Sequence, residues 1–212
     1  MNIWQWFRKL WLRPSKSGPP LTSQNSFSSS KSNSTSEPPT TPKAVASKPK
    51  SPSGPRFREK QLNTPNVSHG RRIKPKAIVL HHTAGGYAGS VAWCLDPISK
   101  VSYHAIVARD GRRTVLADPD ERTWHAGVSS WRGRRDLNSW AIGAALEGDT
   151  NKRKLGEAEM ASMAEYLLPI MKRYGLTLDD VTDHRTVSPG RKDDLAASEL
   201  ARFKDYLAER LT

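Results

Sequence analysis

The sequence predicts an α/β fold: a single domain with a central mixed β-sheet flanked by helices, preceded by a disordered tail. Two observations carry this. Strand-length apolar runs alternate with helical stretches over residues 61–212, the pattern of one layered α/β core. The composition also changes sharply near residue 60. Up to Lys60 the chain has 11 Lys+Arg against 2 Asp+Glu, and beyond it 23 against 19. The net charge of +13 therefore sits mainly in the tail, and implies attraction to anionic surfaces such as lipid headgroups, teichoic acids or nucleic acid. The domain itself is only mildly basic and shows no nucleic-acid motif, so no specific nucleic-acid partner is expected. The single Cys94 excludes an internal disulfide framework. No run reaches the ~18 apolar residues of a membrane span.

Residues 1–14 are expected to form a basic amphipathic helix ended by Pro14. Ile3, Trp4, Trp6, Phe7, Leu10 and Trp11 share one face, and Asn2, Gln5, Arg8, Lys9 and Arg13 the other, with Leu12 the exception. That is an interfacial pattern suited to anionic membrane or envelope contact. Arg8 and Lys9 interrupt the apolar core that a secretory signal would need, so the chain is expected to be made in the cytoplasm without one. Residues 15–60, rich in Ser, Pro, Thr and Lys, are too polar to offset chain entropy and read as a disordered linker.

In the domain, Arg72 to Leu80 is expected to be the first core strand and Gly89 to Leu95 a short helix. Tyr103 to Arg109 and Thr114 to Ala117 read as a hairpin about Asp110-Gly111. Arg122 to Arg135 reads as a loop, and Trp140 to Glu147 as a strand. Leu155 to Tyr174 is a helix stopped by Gly175, with Pro169 as a candidate kink. A short strand over Asp180 to Asp183 and a helix over Ala196 to Leu211 complete the domain.

Chemistry concentrates in two stretches. Ala77 to Gly86 reads as a buried strand delivering an imidazole at its exposed end, and Asp183 to Asp194 adds a histidine and several carboxylates. Two imidazoles and a carboxylate are a donor set that a catalytic zinc accepts, leaving a fourth position for water.

Four motifs in order then carry a family likeness. They are Ile78 to Ala84, Tyr103-His104 before Arg109-Asp110-Gly111, His125 to Arg134, and His184 with Pro189 to Asp194. From about Arg72 to Phe203 the chain resembles the zinc-dependent type-2 N-acetylmuramoyl-L-alanine amidases, relatives of peptidoglycan-recognition proteins and phage lysozyme-like amidases. The resemblance places Zn2+ on His81, His184 and Asp194, with Asp193 as the competitor if the loop slips by one. It places Lys192 facing the metal as an oxyanion stabiliser. The glutamate of muropeptide-cleaving relatives falls on Ala145, whereas the catalytic tyrosine of phage relatives falls on Tyr103. Tyr103 is thus the favoured partner of Lys192, and Glu147, two residues from Ala145 on the same strand face, the less favoured base. His125, Trp131 and Asn138 are implied near the substrate, with Arg132, Arg134 and Arg135 available to attract its carboxylates.

The implied activity is hydrolysis of the amide between N-acetylmuramic acid and L-alanine, by a monomer acting on peptidoglycan or muropeptides. The expected setting is a phage or prophage lysin acting at the cell wall. A cytoplasmic muropeptide-recycling amidase and a non-catalytic peptidoglycan-binding module are the alternatives.

Overall fold

The computed structural model describes residues 56–211, so the expected terminal helix and nearly all of the expected linker lie outside the described residues. The core is a six-stranded sheet. Its strands are β1 (Glu59–Gln61), β3 (Ala77–His82), β4 (Ala105–Val107), β5 (Arg113–Val115), β9 (Ala141–Leu146) and β10 (Val181–Asp183). Their spatial order is β1-β5-β4-β9-β3-β10. Only β4 and β5 pair antiparallel, as a hairpin needs, and every other neighbour is parallel. The sheet is therefore mixed, in agreement with the sequence.

β3 and β9 are buried at every position, which explains their unbroken apolar runs: both faces of a central parallel strand are covered. One face presents Ile78, Leu80, Ile142, Ala144 and Leu146 to α2 (Glu157–Tyr174) and α4 (Ala197–Leu211), against Met163, Leu167, Met171, Phe203 and Leu207. The other face, offset by one residue, presents Ala77, Val79 and Ala141 to Ala126, Leu137 and Val187. Farther along that face, Ala145 and Ile106 pack with Cys94 of α1 (Tyr87–Leu95).

Several boundaries differ from the sequence expectation. The strand expected over Arg72 to Leu80 begins only at Ala77, as β3, and Arg72 is the last residue of a separate strand, β2 (Val67–Arg72). Pro75 lies between them, where it has no N–H to offer a ladder. β2 pairs with β6 (Glu121–Thr123) in a separate two-stranded sheet. The expected loop Arg122 to Arg135 contains the end of β6 and a small hairpin, β7 (Ser130–Trp131) and β8 (Arg134–Arg135). Its two turn residues, Arg132 and Gly133, have φ of 48° and 73°, which matches the two-residue turn with positive φ at both centres. The sheet also begins at Glu59, two residues before the expected domain boundary, because β1 docks on the edge of β5. α2 runs unbroken through Pro169. Among the described residues, no helix is long and apolar enough to cross a membrane.

Candidate metal centre

Strand register assembles the centre. β10 lies beside β3 with Asp183 opposite Leu80, so the next residue on each strand, His184 and His81, emerge side by side at the C-terminal end of the sheet. Asp183 then caps the one-turn helix α3 (His184–Val187), its side chain accepting from Thr186 N at 2.7 Å. The chain loops back and brings Asp194 between the imidazoles. His81 Nδ1 and His184 Nδ1 are 3.0 Å apart, and each lies 3.1 Å from Asp194 Oδ2. All three residues are buried, and these donor atoms form a group able to hold a metal ion. Asp193, the competing carboxylate, is exposed and outside this group.

The surrounding hydrogen bonds assign both histidine tautomers, and the assignment tests whether a cation fits. Ala126 O lies 3.1 Å from His184 Nε2, so Nε2 carries the proton and donates, leaving a lone pair on Nδ1. On the other side, Ala141 O faces His125 Nε2 at 3.3 Å, which puts a proton there and makes His125 Nδ1 an acceptor. That atom sits 3.1 Å from His81 Nε2, which therefore donates, and His81 Nδ1 is again a bare lone pair. Two imidazole lone pairs and a carboxylate oxygen thus converge with no proton among them. A cation resolves the repulsion. The separations are close to the ~3.3 Å edge of a tetrahedron with ~2.05 Å zinc–nitrogen bonds.

Electrostatics agree. Burial lowers the His81 pKa to about 4, so the ring is neutral at pH 7, and burial likewise holds His125 well below its usual range. Burial raises the Tyr103 phenol well above its usual range, reinforced by the Asp194 charge, and the phenol keeps its proton. Burial lowers Lys192, opposed by the attraction of Asp194.

Among the residues singled out in the sequence, Tyr103 packs its ring 5.0 Å from that of His81. His125, in the segment between β6 and β7, is buried behind His81 and packs against β9. A Cβ at Gly143 would come within 2.2 Å of its ring, so only glycine admits this approach. Asn138 Oδ1 accepts from His125 N at 3.1 Å and Ala126 N at 2.7 Å, pinning the loop that orients both imidazoles. Trp131 is half-buried and stacked on Trp140, centroids 6.4 Å apart, with the Arg132 guanidinium 4.2 Å over its ring. Arg132 also pairs with Asp180 at 2.9 Å, and Arg134 lies over Trp140. Glu147 has both carboxylate oxygens engaged, accepting from Tyr87 N at 3.1 Å and Arg109 N at 2.9 Å. Ala145 is opposite His81 in the β3–β9 register, with its methyl in the apolar cluster.

Three supporting residues had no expected role. Arg191 Nη2 donates to Ala126 O at 2.6 Å and Val128 O at 2.8 Å, holding the carbonyl that fixes His184. His82 points to the opposite sheet face, where its Nδ1 meets Thr150 Oγ1 at 2.9 Å. The same oxygen accepts from Ala196 N, two residues after Asp194. His104 accepts from Gly143 N at 3.0 Å and faces Glu121 O with its other nitrogen. All three lie inside the sequence motifs, Ile78 to Ala84, Tyr103-His104 and Pro189 to Asp194, but nothing in those motifs signalled a supporting role.

Comparison with known proteins places this geometry. The model of the N-acetylmuramoyl-L-alanine amidase family matches residues 71–196. The chain is 41% identical over 96 residues to 1,6-anhydro-N-acetylmuramyl-L-alanine amidase AmpD of Haemophilus influenzae, covering 45% of this chain and 52% of that protein. It is 31% identical over 149 residues to N-acetylmuramoyl-L-alanine amidase AmiD of Escherichia coli, covering 63% and 53%. The chain therefore spans about half the length of these curated relatives. Among solved structures, Escherichia coli AmiD in complex with an anhydro-N-acetylmuramic acid peptide superposes with a TM-score of 0.54 at 27% identity, covering 64% of this chain and 60% of that one. An endolysin amidase from Clostridium intestinale shares the fold, with a TM-score of 0.55 at 20% identity over 73% of this chain and 99% of that one. With the family model covering more than half of its length, the chain belongs to the type-2 N-acetylmuramoyl-L-alanine amidase family.

Proposed function

We propose that this protein is a zinc-dependent hydrolase of the amide between N-acetylmuramic acid and L-alanine in peptidoglycan. The observation that carries the reading is the convergence of His81 Nδ1, His184 Nδ1 and Asp194 Oδ2 at 3.0 to 3.1 Å in a buried group. These three residues would hold the zinc, which when bound supplies Lewis acidity and lowers the pKa of water to ~7. Lys192, two residues before Asp194, supplies a positive charge to the oxyanion that forms as the amide carbon becomes tetrahedral. Tyr103 stays protonated beside His81 and serves as a hydrogen-bond donor to the reacting group. Glu147 is occupied in capping α1, which supports Tyr103 with Lys192 over a carboxylate base on β9. His125 and Asn138 act by positioning the imidazoles and the loop, and Trp131 by fixing the wall beside them.

The setting as a phage or prophage lysin follows from the basic N-terminal segment, which suits delivery to an anionic envelope. A muropeptide-recycling role is the second reading, favoured by the relative at 41% identity whose name specifies a 1,6-anhydro-N-acetylmuramyl substrate. The test is to incubate the full chain separately with intact peptidoglycan and with a soluble anhydromuropeptide, and to identify the products by mass spectrometry. Free stem peptide beginning with L-alanine is expected, with Asp194→Ala inactive on both substrates. Faster release from intact peptidoglycan supports the lysin, and faster release from the soluble fragment supports recycling. Cleavage at any other bond contradicts the reading.

A further inference from the structure

At the β1 edge of the sheet lies a recess about 330 Å³ in volume. Alternation along the edge segment puts Arg58, Lys60 and Leu62 on one face, and Arg112 and Thr114 of the adjoining β5 segment line the same recess. Lys60 is opposite Thr114 in the register, and Arg113 N donates to Arg58 O at 3.0 Å. Tyr87 and Val91 of α1 form the opposite wall, with Tyr87 Oη 2.6 Å from Thr114 Oγ1.

The charges in this recess do not balance. Among the described residues, no acidic side chain lines it. Arg113 is buried and spends its charge on Glu59 and Glu165. Arg112 is paired with Asp110 at 2.7 Å and lies over the Tyr87 ring at 5.4 Å. Arg58 and Lys60 are exposed, and neither side chain has an ion-pair partner among the described residues. Two cations without a partner among the described residues share one strand face, with a third cation, Arg112, across the ladder, and they repel one another.

We propose that this recess binds a phosphate group, with Arg58 and Lys60 as its principal ligands and Arg112 at its rim. Two unbalanced positive charges match the charge of about −1.5 to −2 on a phosphate monoester at pH 7, whereas one carboxylate would leave a cation over. A guanidinium beside an ammonium supplies both a planar fork and a point charge for its oxygens. Arg58, Lys60 and Leu62 precede residue 71, where the family match begins, so one side of the recess is an addition to the matched domain. The site is separate from the metal centre, and the proposal stands whether or not the hydrolase reading holds.

The phosphate is either the free ion or part of a lipid headgroup, and two arms distinguish them. In the first, the zinc-loaded full chain is melted in 10 mM inorganic phosphate and in chloride of equal ionic strength. A rise of about 3 °C in phosphate is expected for wild type, as for a ligand with a Kd of about 1 mM. Arg58→Gln/Lys60→Gln should lose the rise, and each single variant part of it. Because repulsion is relieved, the double variant should melt no lower than wild type in chloride. No rise in wild type, or an equal rise in the double variant, overturns the proposal, the latter placing phosphate elsewhere, such as on the metal. The second arm measures binding to phosphatidic acid vesicles. A loss of at least about 3-fold in the double variant assigns the site to a headgroup. Unchanged vesicle binding together with a lost thermal shift assigns it to the free ion.

Discussion

His184 illustrates how little of a metal site resides in its ligands. Its Nδ1 is available because Ala126 O holds the proton on Nε2, and Ala126 O is held there by Arg191. Arg191 is thus a positioning residue, and outer-shell partners of this kind typically carry 10- to 100-fold in metal affinity. Arg191→Ala is expected to weaken zinc binding about 10-fold or more in chelator competition and to alter the visible spectrum of the cobalt-substituted protein. Arg191→Lys, which keeps the charge and one donor, should recover part of the affinity. Equal affinity in wild type and Arg191→Ala would show that the loop keeps its place unaided. Asn138 and Gly143 serve the same end for His125. One holds its backbone, and the other has no side chain where the ring must lie.

The elements differ in how legible they were. β3 and β9 could be read from their unbroken apolar runs, since burial on both faces leaves no other residue class in place. α2 could be read from its amphipathic repeat and terminal Gly175, which takes φ of 64°. The hairpin of β7 and β8 could not, because its strands are two residues long and its first turn residue, Arg132, takes positive φ without being glycine. β1 was hidden by the basic composition it shares with the tail, and only its docking on β5 reveals it. The ligands themselves were legible through their motifs. Their supports, Arg191, His82 and His104, were not, since each meets partners far away in sequence and chiefly backbone atoms. Glu147 shows how an element can reassign a residue. The sequence put it on a strand face with Ala145, yet it lies just past the end of β9, and its carboxylate caps α1 at Tyr87 N and fixes the turn at Arg109 N. Glu147→Gln is expected to cost about 1 kcal/mol of stability through the weakened cap, with kcat changed less than about 5-fold. A loss of 100-fold or more in kcat would make Glu147 the general base instead.

For the molecule as a whole, buried neutral histidines tie stability to pH. Burial holds His104 at about 4, outweighing its hydrogen bond to Glu121 O. Its folded value lies below the unfolded value of about 6.5, so its contribution is fully present above pH 6.5 and is lost as pH falls through 4. The difference corresponds to about 3 kcal/mol at most. Urea midpoints of the metal-free full chain should fall between pH 6.5 and 4, and His104→Gln should show a shallower fall. Working without metal leaves His81 and His184 the same in both proteins, so the difference reports His104. Parallel slopes would mean that His104 titrates alike in the folded and unfolded chains.

The central claim is that His81, His184 and Asp194 hold a zinc ion on which amide hydrolysis depends. The measurement that tests it most directly follows metal content and release of new L-alanine amino termini from peptidoglycan on the same protein, before chelation, after it, and during titration with zinc. The account predicts one zinc per chain, loss of release on chelation, and return of release in proportion to zinc up to that stoichiometry. Release that persists in the metal-free protein, or stoichiometric zinc with no release, would contradict it.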